Sequence, residues 1–250
     1  MNIVIISAIL PVVLLLIFVY RKDKYQHEPI GKLLLTFLVG CLSVIPASLQ
    51  ETALMAIEPP LGPVADGLYT GFVVAGFSEE LWKLLLLMLV IWRSRHFDEY
   101  FDGIVYAAYL SLGFACVENV MYVFQGEDPM AVALSRGLLA VPAHFLFAVM
   151  MGYHLSLAKF DRPKRSAHLF HALIYPLLMH GTYDALLMVS QNIGNNESQY
   201  VTTGILFIVF IVFDIKMWRW GLKRIKRLQE RSKEQTFDRQ HPFDGFTWNI

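Results

Sequence analysis

Gly76-Phe77-Ser78-Glu79-Glu80-Leu81-Trp82-Lys83-Leu84 opens an apolar run that continues unbroken to Trp92. Two adjacent carboxylates and a lysine therefore sit inside a segment that otherwise reads as a membrane-spanning helix. A charge near the bilayer centre costs about 2.5–3.5 kcal/mol on insertion scales, so a cluster of three points to use rather than neglect. Glu79 and Lys83 are four residues apart, share a helix face and partly neutralise each other, while Glu80 points about a quarter-turn aside.

The surrounding chain has 250 residues, 56% of them hydrophobic, and no net charge. That is too apolar for a soluble domain and too evenly apolar for one anchor helix. The fold class expected is all-α, a polytopic transmembrane helical bundle. Seven apolar stretches, at about 2–20, 33–57, 67–92, 103–125, 131–158, 166–190 and 200–218, are each long enough to cross a hydrocarbon core of roughly 30 Å. Gly71 and Gly76 precede the charges, so the third stretch is expected to be broken or long and tilted. Residues 1–20 lack a basic leader and a small-residue cleavage site, and read as a retained first span. Cys41 and Cys116 both fall inside apolar runs, which excludes a disulfide framework. The expected division is a transmembrane domain over 1–220 and a basic tail over 221–250. Nothing points to nucleic acid or to an oligomeric state.

Charge sets the orientation. Every lysine and arginine except Lys83 and Arg136 falls after span one, three, five or seven, and the loops at 58–66, 126–130 and 191–199 carry none. The positive-inside rule then puts the N-terminus outside and the C-terminus in the cytoplasm. The basic stretch Lys216–Lys233 reads as a partly amphipathic juxtamembrane helix held by anionic membrane lipids. The sequon Asn196-Glu197-Ser198 is taken as a chance match.

Other polar groups interrupt the spans. Span four carries Asp102 at its edge and Glu118 about 22 Å further in; span five carries Arg136 and Val141-Pro142-Ala143-His144; span six carries Met179-His180-Gly181-Thr182-Tyr183-Asp184. Glu79, Glu80, Glu118, His144, His180 and Asp184 come to similar depth and should turn inward together. Two histidines and a glutamate with one position left open is a catalytic zinc set, which Glu118, His144 and His180 would supply. Glu79 would be the general base, and Asp184 would orient His180 or bind substrate. Lys83 and Arg136 read as counter-ions, Asp102 as a cap or loop group, and Gln50 with Glu51 as the lining of a polar crevice. His154 and His171 read as hydrogen-bonded packing near an interface.

Taken in order, Glu-Glu-x-x-Lys at Glu79, Glu80 and Lys83, Phe-x-x-x-Glu at Phe114 and Glu118, Pro-Ala-His at Pro142–His144 and His-Gly-x-Tyr-Asp at His180–Asp184 resemble the four motifs of the PrsW intramembrane proteases. The resemblance covers about residues 67–190. It implies kinship with the wider CPBP group, which includes CAAX-prenyl endopeptidases. Those carry Arg in the first motif, His in place of Glu118 and Asn in place of Asp184, so the departures favour PrsW. The resemblance implies a bacterial inner-membrane protease that makes the first cut in single-span anti-sigma factors. It also implies a metallopeptidase, with a metal-free, glutamate-activated water as the alternative drawn from the CPBP relatives. HExxH, GxGD and GxSG patterns are absent. The rival from another class is a proton-coupled transporter, against which the lack of inverted repeats counts.

Overall fold

A computed structural model describes residues 2–193 and 197–240. Asn196 of the sequon and the last ten residues of the basic tail lie outside them. Helices α1 (Asn2–Lys22), α2 (Ile30–Ala56), α3 (Pro63–Tyr69), α4 (Ser78–Ile91), α5 (Asp102–Gln125), α6 (Pro129–Leu138), α7 (Ala140–Phe160), α8 (Arg165–Asn192) and α9 (Glu197–Gln240) account for almost all of the chain described. Among the described residues, six helical stretches are long and apolar enough to cross a membrane, with α6 and α7 counted as one. The seventh expected span is the continuous rod Pro63–Ile91, whose pitch changes twice. The protein is a multi-pass membrane protein.

Burial ranks the helices. α5 and α7 form the centre, with 67% of the α5 window buried against 17% for α1 and 11% for α9. α5 and α7 approach closely because each offers a glycine: a Cβ on Gly152 would meet the Gly103 carbonyl oxygen at 2.2 Å. The peripheral helices carry exposed apolar rows, such as Leu34, Leu38, Leu42, Ile45 and Leu49 on α2, which suit lipid contact. The break between α6 and α7 falls at Leu139, and α6 starts cleanly because the Asp128 carboxylate accepts from the Met130 and Ala131 amides, both at 3.1 Å.

The lower half of α9 is more than a lipid-held tail. Gly221, Ile225, Leu228 and Ser232 are buried at helical spacing, while Lys223, Lys226 and Lys233 stay exposed. Ser232 Oγ accepts from the Phe101 amide at 2.8 Å, Gln235 Nε2 donates to the Asp98 carbonyl at 2.9 Å, and Arg239 pairs with the Asp98 carboxylate at 3.0 Å. The helix thus lays its basic face outward and docks its other face on the loop at 92–101. Beneath it lie Asp23, Glu28, Glu99 and Asp102, all buried. Asp102 holds that loop through the Asp98 and Glu99 amides at 2.9 and 2.7 Å. Burial pushes the carboxyls of Asp23, Glu28 and Glu99 each up to about 7, and the neighbouring acids add to it at Glu28 and Glu99.

Candidate active site

The rod Pro63–Ile91 is wound as a π-helix over Thr70–Phe77 and returns to α-helix at Ser78, immediately before the two glutamates. Of the two forms expected there, broken or long and tilted, the chain is long and unbroken, and it widens its pitch over this stretch, a feature that recurs at functional sites. Gly71 and Gly76 permit this stretch to lie against α8, where a Cβ on Gly71 would meet the Ala185 nitrogen at 2.6 Å. Glu79, Glu80 and Lys83 are thereby pressed into the interior, with Lys83 and Glu80 0% exposed and Glu79 5%.

Lys83 is the hub. Its Nζ donates to Glu79 Oε2 at 2.8 Å and Glu80 Oε1 at 2.9 Å and lies 3.1 Å from His144 Nδ1. An ammonium only donates, so His144 Nδ1 accepts and its Nε2–H points to Glu118 Oε2, 2.8 Å away. Glu118 also pairs with Arg136 at 2.8 Å. The Lys83 ammonium further rests 4.0 Å from the centre of the Phe114 ring. His180 is held on two sides, Nδ1 at 3.0 Å from Glu80 Oε1 and Nε2 at 3.1 Å from Asp184 Oδ2. Both nitrogens face carboxylate oxygens, which fixes the ring between α4 and its own helix. Phe147 stacks on this ring at 4.7 Å.

All six expected site residues therefore meet. Glu79, Glu118, His144, His180 and Asp184, with Glu51, border one cavity of about 600 Å³; Glu80 lies behind it under Lys83 and His180. The cavity runs to Met55, Gln125 and Gln191, at the far ends of α2, α5 and α8 from the basic pole. Two placements differ from expectation. Glu118 stands behind His144 with Arg136, and Glu80 takes the inner place beside the two histidines. Both follow from the reach of Lys83, whose long side chain draws in the carboxylates at i−3 and i−4 together. Phe114 belongs to the second motif quoted from sequence, whereas Phe147 has no such mark; the signal available was its helical spacing from His144.

Glu79, Glu80, His144 and His180 each offer a ligand atom within 4.8 Å of the others. Glu80 Oε2 is buried without a hydrogen-bond partner. By donor type and spacing these four residues fit a divalent ion. Lys83 Nζ lies among the same atoms, so an ion and the ammonium address the same donors.

Residues 28–214 match the family model described as PrsW family intramembrane metalloprotease. The chain belongs to the PrsW family. It is 34% identical to a protein named Protease PrsW from Clostridioides difficile (strain 630) over 92% of this chain and 93% of the relative. It is also 34% identical to Protease PrsW of Bacillus subtilis (strain 168), over 90% and 94% respectively. The relative from Geobacillus kaustophilus (strain HTA426) is 32% identical over 92% and 93%. No solved structure matches. The protein is thus an intramembrane peptidase of the PrsW family.

Proposed function

We propose that this PrsW protease hydrolyses a peptide bond of a single-span membrane protein, in the manner of the first cut in an anti-sigma factor. The observation that carries the reading is the convergence of Glu79, Glu80, His144 and His180 from three helices, with Glu79, His144 and His180 bordering one cavity and Glu80 directly behind it. Glu79 Oε2 is held by Lys83 while the carboxylate borders the cavity, which supports Oε1 as the atom that takes a proton from an attacking water. The water oxygen adds to the peptide carbonyl carbon. The C–N bond then breaks, and Glu79 returns its proton to the leaving amine. A positioned base of this kind contributes about 10²–10⁴ in rate. His180, held by Glu80 and Asp184, presents a fixed polar ring edge 3.9 Å from Glu79 Oε1, beside the charge that develops on the carbonyl oxygen. Glu118 fixes the His144 ring through Nε2, and Arg136 balances Glu118.

A divalent ion, zinc by donor type, would be held by Glu80, His144 and His180, with Glu79 kept as base. When bound it supplies Lewis-acid polarisation of the substrate carbonyl. The place of Lys83 favours a second, metal-free reading, in which its ammonium stays among these donors and Glu79 works with His180 alone. The two separate on metal-stripped protein: lost activity restored by zinc supports the first, and an unchanged rate supports the second.

The charge pattern supports an N-terminus outside the cell membrane and a cytoplasmic C-terminus. Residues 1–220 then form the protease domain and 221–250 the cytoplasmic tail, and the cavity opens to the outer side, where a first-cut protease meets its substrate. The test is incubation in proteoliposomes with a single-span protein and mapping of the fragment ends. Ends within or at the outer margin of the span are expected; an intact substrate contradicts the reading.

A further inference from the structure

At the basic pole, α7 and α8 close around a second group of imidazoles. His154 lies on α7 about 15 Å of helix beyond His144, and His168 and His171 share one face of the first turns of α8. Their ring centres are 5.2 Å apart for His154–His171, 5.8 Å for His154–His168 and 6.2 Å for His168–His171. One nitrogen from each lies within 4.8 Å of the others. Packing of hydrogen-bonded histidines, the expectation from sequence, does not describe them. His154 is 7% exposed and neither of its ring nitrogens has a hydrogen-bond partner; His168 Nδ1 is likewise buried and unpartnered.

Buried ring nitrogens without partners forfeit their hydration for nothing in return. A shared cation takes one nitrogen from each ring, and so answers His168 Nδ1 and one of the two His154 nitrogens. Three imidazoles on one tetrahedral ion, with nitrogen–metal bonds of about 2.0–2.1 Å, have ring centres roughly 5–6 Å apart, as these do. The supporting groups agree. Asp161 Oδ2 stands 3.6 Å from His168 Nε2 and leaves Nδ1 turned to the cluster, the usual role of an outer carboxylate behind a ligating histidine. Tyr175 stacks flat on His154 at 4.9 Å and fixes its ring plane. Arg224, the nearby cation on α9, is held over the Tyr153 ring at 4.7 Å. The Asp161 and His168 side chains are 36% and 15% exposed, which gives an ion a way in from water.

We propose that His154, His168 and His171 form a zinc site separate from the proteolytic cluster, with the fourth position left to water. The ion ties α7 to α8, and these helices carry His144 and His180 into the active site. It therefore sets the register of the catalytic histidines without touching substrate.

The test is zinc content of the full chain, purified in detergent and dialysed against buffered zinc, in wild type, His168→Asn and His154→Phe. Phenylalanine keeps the stack on Tyr175. Each variant is expected to hold one zinc equivalent fewer than wild type, and zinc should raise the melting temperature of wild type more than that of either variant. Equal zinc in wild type and His168→Asn overturns the proposal. X-ray absorption at the zinc edge of a Glu80→Gln chain reads the site with its own residues intact, whether or not that chain cleaves anything. Scattering from three imidazoles supports the site, and a shell of oxygens alone overturns it.

Discussion

Lys83→Met is the most demanding perturbation of the cluster. Methionine keeps the length of the side chain and removes the ammonium that is 2.8 Å from Glu79 and 2.9 Å from Glu80. Both carboxylates are then buried without their shared cation, and the His144 nitrogen at 3.1 Å loses its donor. Removing one partner of a buried ion pair costs about 3–5 kcal/mol, a large share of the roughly 5–15 kcal/mol that holds a folded chain together. At about 2–4 °C per kcal/mol for a chain of this size, the melting temperature should fall by roughly 6–20 °C. Differential scanning fluorimetry in detergent reads this directly. Adding Glu80→Gln should recover part of the loss, because the amide needs no counter-ion. An unchanged melting temperature in Lys83→Met would refute the assignment of Lys83 as hub, and no recovery in the double variant would refute the electrostatic origin of the loss.

Three further outcomes are expected. Asp23, Glu28 and Glu99 are raised by burial to about 7, so between about pH 4.5 and 7 the folded chain holds protons that the unfolded chain has released. Stability from these groups is present at low pH and is lost as pH rises through 7; melting curves from pH 5 to 8 should fall, and Glu99→Gln should flatten them. Gly152→Val drives a side chain onto the Gly103 carbonyl across the α5–α7 contact, where a Cβ would lie 2.2 Å from that oxygen, and should cost at least about 1–3 kcal/mol, read as lost folded yield or melting temperature. Cysteines placed at 126–128 should label from outside intact cells; labelling only from the cytoplasmic side would reverse the topology.

Much of this was legible in the sequence because a membrane makes polarity conspicuous. Seven apolar stretches and one-sided basic loops outline the bundle, and Glu79, His144, His180 and Asp184 stand out where lipid tolerates no idle charge. Spacing along one helix, however, says nothing of distances between helices. Glu80 looked turned aside from Glu79, yet Lys83 reaches both, and only the packing of α4 against α8, with Lys83 reaching His144 on α7, puts Glu80 inside and Glu118 behind His144. The π-helical turn at Thr70–Phe77 has no periodic signature, since glycines predict a weak point and not its form. The His154 group was hidden for the same reason: His168 and His171 are near neighbours, but their third member comes from another helix. On α9 the basic residues masked the buried face of Ile225, Leu228 and Ser232 that docks on the 92–101 loop.

The claim that Glu79 activates the water is tested most directly by Glu79→Gln, with cleavage of a single-span substrate and melting temperature measured on the same proteoliposome preparation. The amide keeps the shape of Glu79 and can still accept from Lys83, so the fold should survive. Cleavage should drop by about 10²–10⁴ or more, because the group assigned to take the proton of the water is lost. Full cleavage by a folded Glu79→Gln chain would contradict the account.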